Sequence, residues 1–126
     1  MVPLLAGCGE PRIPAHLRIA GGDAERGRAL IQRYECGVCH RIDGVRGAHG
    51  VVGPPLDDYA QRVLLAGMTP NVPRTLVPWL MNPPAMDPDT AMPDLGISEA
   101  EAKDMATYLY TLGAGSVLVW PGGGRQ

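Results

Sequence analysis

Cys36-Gly37-Val38-Cys39-His40 decides how the rest of this chain is read. Two thiols flank a two-residue gap, and an imidazole follows the second thiol directly. This C-x-x-C-H spacing is the attachment signature of c-type haem. Each thiol can add across one haem vinyl group to give a thioether, and the gap suits two vinyls on one porphyrin edge. The imidazole is then held beneath the iron as an axial ligand. Gly37 has no side chain, so the chain can bend tightly over that edge. Two other chemistries also use a C-x-x-C pair. A redox dithiol sits in a strand–helix setting, and a structural zinc site needs about four N or S donors. Cys8, His16 and His49 are the further zinc donors, and the three cluster ligands with His49 make a conceivable set. No alternation of strands and helices suited to a dithiol is visible.

Around this motif lie 126 residues, enough for one domain with a modest core. The formal charge of −2 and pI near 5.8 exclude a basic face for nucleic acid. Charged residues are 19% and apolar residues 45%, which excludes wholesale disorder. No apolar run approaches the ~18 residues of a membrane-spanning helix. Phe is absent, so core bulk must come from elsewhere; 13 Pro and 17 Gly imply short elements joined by long ordered loops.

Three parts are expected: a leader or tether over 1–22, a domain over 23–113 and a tail over 114–126. The first helix starts at Asp23 as N-cap and runs to about Glu35, with Gly27, Leu30, Ile31 and Tyr34 on one face. Gly27 inside a helix costs roughly 1 kcal/mol against Ala, which implies close approach of another helix. Residues 41–56 form a glycine-rich loop ending in Gly53-Pro54-Pro55-Leu56. Residues 57–67 read as a short helix capped by Asp57 or Asp58 and stopped by Gly67. A third helix starts near Pro73, a favourable first position, and Pro78 inside it should bend or break it. Four prolines make 83–97 a stiff extended loop. Ser98-Glu99-Ala100-Glu101 is a capping box. It opens a helix with Ala102, Met105, Ala106, Leu109 and Leu112 as its stripe, ended by Gly113. No β-hairpin is expected.

Over roughly 21–113 the chain resembles a class I cytochrome c. The C-x-x-C-H string follows a helix bearing Gly27. Gly53-Pro54-Pro55-Leu56 resembles the family's Gly-Pro-x-Leu loop. Trp79-Leu80-Met81-Asn82-Pro83 and Asp89-Thr90-Ala91-Met92-Pro93 resemble the segments ahead of its distal ligand, and Met105 to Leu109 resembles the start of its C-terminal Y-L stretch. The resemblance implies an all-α fold of four or so short helices around one covalently bound haem c. Cys36 and Cys39 would carry the haem, with His40 as proximal and Met92 as distal iron ligand. Pro54 would accept a hydrogen bond from the other His40 nitrogen. Trp79 would pack on the haem and Thr90 would hydrogen-bond a propionate. Gly27 and Ile31 would meet Met105 and Tyr108 where the terminal helices cross. Ile31 stands where the family often has an aromatic residue, and Asp89 where it commonly has Gly.

Rival ligands exist. Met86 shares the proline-rich loop with Met92, whereas Met68, Met81 and Met105 read as packing residues. His16 and His49 read as solvated histidines. Leu5-Ala6-Gly7-Cys8 resembles a bacterial lipobox, which would acylate Cys8 and tether the domain to a membrane.

The expected function is one-electron transfer rather than enzymatic turnover, because a His/Met iron leaves no open site. The domain would act as a shuttle, or as a haem subunit of a membrane respiratory complex such as a terminal oxidase or a dehydrogenase. Haem c attachment implies export, to the periplasm or the outer face of the bacterial cytoplasmic membrane. The alternative is a gas-sensing or peroxidatic haem domain with an open distal site. One Lys and ten Arg against 13 acids provide no broad lysine ring for docking. The tail residues Val117 to Trp120 would either anchor a partner or fold back on the domain.

Overall fold

Asp23 opens the first helix, α1 (Ala24–Arg33), in the computed structural model, which describes residues 12–116. Its carboxylate accepts from the Arg26 N–H at 2.9 Å, the capping bond its type favours. The last helix, which is α4 (Glu99–Thr111), opens on the reciprocal box. Ser98 Oγ accepts from the Glu101 N–H and Glu101 Oε1 from the Ser98 N–H, both at 3.2 Å. Gly113, at φ 77°, follows its end. Between these lie α2 (Pro73–Met81) and α3 (Pro83–Met86). Single 3-10 turns occupy Ala15–Leu17, Cys36–Val38, Tyr59–Gln61 and Ala114–Ser116. The mostly helical architecture is the one the sequence implies.

The crossing of α1 and α4 organises the molecule. A Cβ on Gly27 would lie 1.9 Å from the Asp104 carbonyl oxygen, so glycine here lets the two backbones touch. Ile31 and Met105 are each 1% exposed nearby. Polar groups lock the crossing. Asp104 accepts from the Asp23 N–H at 2.8 Å and from Arg26 Nε at 3.1 Å. Tyr34 donates to the Glu101 carboxylate at 3.0 Å. Tyr108 donates to the Asp43 carbonyl at 2.6 Å, tying α4 to the loop after His40.

Four expectations need correction. Residues 57–67 hold one 3-10 turn and then half of a hairpin, not a helix. In that hairpin β1 (Leu64–Leu65) runs antiparallel to β2 (Thr69–Pro70), with Leu64 opposite Pro70 and Leu65 opposite Thr69. Ala66 (φ 50°) and Gly67 (φ 71°) take left-handed conformations in its turn, so Gly67 turns a hairpin rather than stopping a helix. Pro78 does not interrupt α2. Its ring lies on the exposed side, while Leu76, Val77, Trp79 and Leu80 are buried and hold the helix to the core. Finally, the proline-rich loop begins with the helical turn α3. Asn82 caps it by accepting from the Ala85 N–H at 3.3 Å, and Pro83 and Pro84 occupy first-turn positions that need no N–H partner.

The segment before Asp23 packs onto the domain. Leu17 is 3% exposed, and a Cβ on Gly22 would meet Thr107 Oγ1 at 2.0 Å. Any free tether is therefore confined to residues N-terminal of this segment. Buried Asn71 joins the hairpin to α4. Its Nδ2 donates to the Arg62 carbonyl at 3.1 Å, and its Oδ1 accepts from Tyr110 at 3.1 Å.

Candidate functional site

The chain leaves α1 through Glu35 at φ 58° and enters the 3-10 turn Cys36–Val38. That turn bends back on itself. The Cys36 carbonyl accepts from the N–H groups of Cys39 at 3.2 Å and His40 at 3.0 Å. Both thiols and the imidazole therefore project from one tight turn.

A second segment braces this turn from outside. Gly50 N–H donates to the Gly37 carbonyl at 3.0 Å and Gly53 N–H to the Cys39 carbonyl at 2.7 Å. The fit requires glycines. A Cβ on Gly37 would sit 2.6 Å from Ala48 Cα, one on Gly50 2.4 Å from the Val38 oxygen, and one on Gly53 2.4 Å from His40 Cε1. His40 Nδ1 donates to the Pro54 carbonyl at 2.7 Å, the bond that the family resemblance implies. A carbonyl can only accept, so Nδ1 is the donor of this bond, and in the neutral ring Nε2 is the acceptor nitrogen. Asp57 straps the same loop from its far end. It accepts from Arg41 Nε and from the Asp43 N–H at 2.9 Å, and Leu56 N–H donates to the Arg41 carbonyl at 2.8 Å. The Arg41 hydrogen bond, first among the causes, holds the Asp57 carboxyl below its ordinary pKa. Sequence reading offered Asp57 as a helix cap and missed this strap. Its one signal was an Arg directly after the histidine.

The burial of Cys36 speaks against the redox-dithiol chemistry. Burial pushes the Cys36 thiol up to about 11, so it stays protonated at neutral pH. A redox dithiol needs a lowered thiol pKa. Nor do three His, Cys, Asp or Glu side chains gather as a metal cluster among the described residues. His16 and His49 are exposed.

Trp79 is 7% exposed on the inner face of α2. Thr90 Oγ1 accepts from the Met92 N–H at 3.1 Å and shapes the turn that carries this methionine. Asp89 stands in that turn without a left-handed φ, and its N–H donates to Asp87 Oδ1 at 3.0 Å. The turn therefore does not need the glycine the family commonly has. Met92 and Met86 are both partly buried against the core, so packing alone does not separate them. Met105 is core at 1% exposure, and Met68 lies exposed at the hairpin turn. Cys8 and Val117 to Trp120 lie outside the described residues.

The donor set fits a haem. It comprises two thiols on one tight turn and an imidazole whose Nδ1 is held by the Pro54 carbonyl, with the thioether of Met92 partly buried against the core. Comparison with known proteins agrees. A family model described as "Cytochrome c" matches residues 24–113. A relative, described as cytochrome c oxidase subunit 2 of Alkalihalophilus pseudofirmus, is 27% identical over 90 residues. The match takes in 71% of this chain but 25% of that protein, so the chain spans about a quarter of its relative's length.

Proposed function

The chain belongs to the cytochrome c family, and from that membership we propose a one-electron carrier whose single haem c is joined to Cys36 and Cys39 and ligated by His40 and Met92. The supporting observation is the 2.7 Å bond from His40 Nδ1 to Pro54. It fixes the tautomer, stops ring rotation and leaves Nε2 as a ready ligand. When bound, the haem supplies Fe(III)/Fe(II) chemistry, with a potential raised by a thioether ligand.

The chain's own residues do the rest. The C-x-x-C turn holds both thiols for vinyl addition, with their protons available to the new C–H bonds. Gly53 leaves room for the imidazole, which the Arg41–Asp57 strap supports through the loop. Thr90 orients the Met92 backbone and keeps its O–H for a haem carboxylate. Trp79, buried on α2, would pack against the haem and keep water from it. His40 and Met92 would hold the iron of the haem between them, which suits electron transfer rather than substrate binding.

The carrier works outside the bacterial cytoplasm, in the periplasm or on the outer face of the cytoplasmic membrane, where acylated Cys8 would hold it. The relative's description as an oxidase subunit favours a terminal oxidase as partner, either as a shuttle's acceptor or as a complex to which this domain is fixed.

The test is the purified holo-protein and two variants. Denaturing mass spectrometry should show haem retained on a peptide containing Cys36 and Cys39. The ferric protein should show the far-red Met-to-iron band, lost in Met92→Ala and kept in Met86→Ala. A colourless protein refutes the proposal. Loss of the band in Met86→Ala alone moves the ligand to Met86, and ready CO binding by the wild-type ferrous protein returns the open-site alternative.

A further inference from the structure

The loop that orients His40 is itself held at one residue from two sides. Asp43 offers both of its backbone groups there. Its N–H donates to Asp57 Oδ1 at 2.9 Å, and its carbonyl accepts from Tyr108 Oη at 2.6 Å. Tyr108 is 8% exposed, so a packed side chain of α4 supports the loop. The next residue fits only without a side chain: a Cβ on Gly44, at φ 77°, would lie 2.3 Å from Tyr108 Oη. Asp57 carries the hold onward. Pro54 and Pro55 have no N–H to donate. The stretch after Gly53 is therefore tied to 41–43 through the Leu56 N–H, which donates to the Arg41 carbonyl at 2.8 Å, and through the Asp57 carboxylate. Pro54, which accepts from His40 Nδ1, lies between these ties and the Gly53 bond to Cys39.

We propose that the Asp43 peptide is the anchor of the proximal loop, and that Tyr108 and Asp57 are positioning residues for His40. Both act through Pro54 rather than on the haem itself. Tyr108 fixes the Asp43 carbonyl to α4, Asp57 passes that fixed position to 54–57, and the Pro54 carbonyl then stays on His40 Nδ1. This rests on the electron-carrier reading above and adds to it a link from the α1–α4 crossing to the axial ligand. The hold is mechanical more than ionic. The Arg41 side chain is 60% exposed in its ion pair with Asp57, and exposed pairs contribute little. A packed tyrosine bonded to a peptide carbonyl has far less freedom.

The experiment follows the Nδ1 proton of His40 by NMR in the ferrous holo-protein and measures its exchange with solvent. Tyr108→Phe deletes one donor to Asp43, and Asp57→Ala deletes the acceptor on its other side. Each should speed exchange about fivefold, the change in open population that one ordinary hydrogen bond controls. The double variant should fall well short of the product of the two effects, because both release the same peptide. Asp57→Asn keeps an oxygen for the Asp43 N–H and should exchange near the wild-type rate. Tyr110→Phe is the matched control. It deletes the neighbouring tyrosine hydroxyl of α4, which bonds Asn71 and not the loop, so it should lower Tm and leave the Nδ1 rate unchanged.

Unchanged exchange in Tyr108→Phe or in Asp57→Ala overturns the proposal. Equal acceleration in Tyr110→Phe also overturns it, since the bonds would then add stability and nothing more. A double variant that reaches the full product makes the two residues independent, and Asp57→Asn as fast as Asp57→Ala makes the ion pair the hold; either result sinks the shared anchor. Colour separates these failures from that of the premise. A colourless protein overturns the electron-carrier reading, whereas unchanged exchange in a coloured protein overturns this proposal alone.

Discussion

Gly27→Ala sets two physical effects against each other, and the structure says which wins. Helix propensity alone favours alanine by about 1 kcal/mol at an interior position. Here the new methyl would lie 1.9 Å from the Asp104 oxygen, 2.5 Å from its carbon and 3.0 Å from the Met105 nitrogen, all backbone atoms. No rotamer relieves that. The helices must separate by more than 1 Å, because Cβ contacts under 3.0 Å are not sustained. Separation strains the bonds of Asp104 to the Asp23 N–H (2.8 Å) and to Arg26 (3.1 Å), and that of Tyr34 to Glu101 (3.0 Å). It also loosens the packing around Ile31 and Met105, each 1% exposed in the core. Overpacking costs about 1–3 kcal/mol and each weakened hydrogen bond about 1 kcal/mol. The net expectation is a loss of roughly 3–5 kcal/mol, or about 10–30 °C in Tm for a domain of this size. Thermal and denaturant unfolding of the ferric holo-protein, followed by far-UV circular dichroism, measures it. An unchanged or raised Tm would mean that propensity outweighs the crossing, and the account of α1 against α4 would be refuted.

Three further perturbations probe other parts. Gly53→Ala drives a methyl to within 2.4 Å of His40 Cε1, so the imidazole must tilt from Pro54; we expect a lowered reduction potential and incomplete haem attachment, and a wild-type potential with full attachment would contradict the brace. Tyr110→Phe leaves buried Asn71 Oδ1 without its donor and should cost about 1–3 kcal/mol by denaturant titration, with no change in the haem spectrum. Burial works to raise the pKa of Asp104, but donation from Arg26 and the Asp23 N–H holds it below the ordinary value. Its contribution is therefore complete above the unfolded carboxyl's pKa of about 4 and is lost as pH falls below that. Acid titration of Asp104→Asn should show a shallower loss of stability below pH 4 than the wild type, and identical slopes would show that the group contributes nothing there.

What the sequence made legible, and what it hid, follows from how local each determinant is. Asp23, Ser98 with Glu101, and Pro73 act within one turn of chain, so the starts of three helices could be read directly. Gly27 was legible because an interior glycine makes sense only if a second backbone lies against it. The hairpin at Leu64–Pro70 was not legible. Its strands are two residues each, too short for alternation to register, and its turn depends on Ala66 at positive φ, which no propensity favours. Pro78 misled because its ring was weighed as a local breaker, whereas four buried neighbours on α2 override one lost hydrogen bond. The site divides the same way. The thiols and imidazole lie in one pentapeptide, and the Pro54 acceptor came from the resemblance. The Arg41–Asp57 strap and the Gly50 clamp join residues more than ten positions apart by contacts no sequence period encodes. Yet these nonlocal contacts hold the imidazole's partner in place, so the precision with which His40 is oriented is a property of the loop's closure rather than of the motif. A peptide containing 36–40 alone should therefore offer its imidazole in either tautomer, while the folded domain offers one.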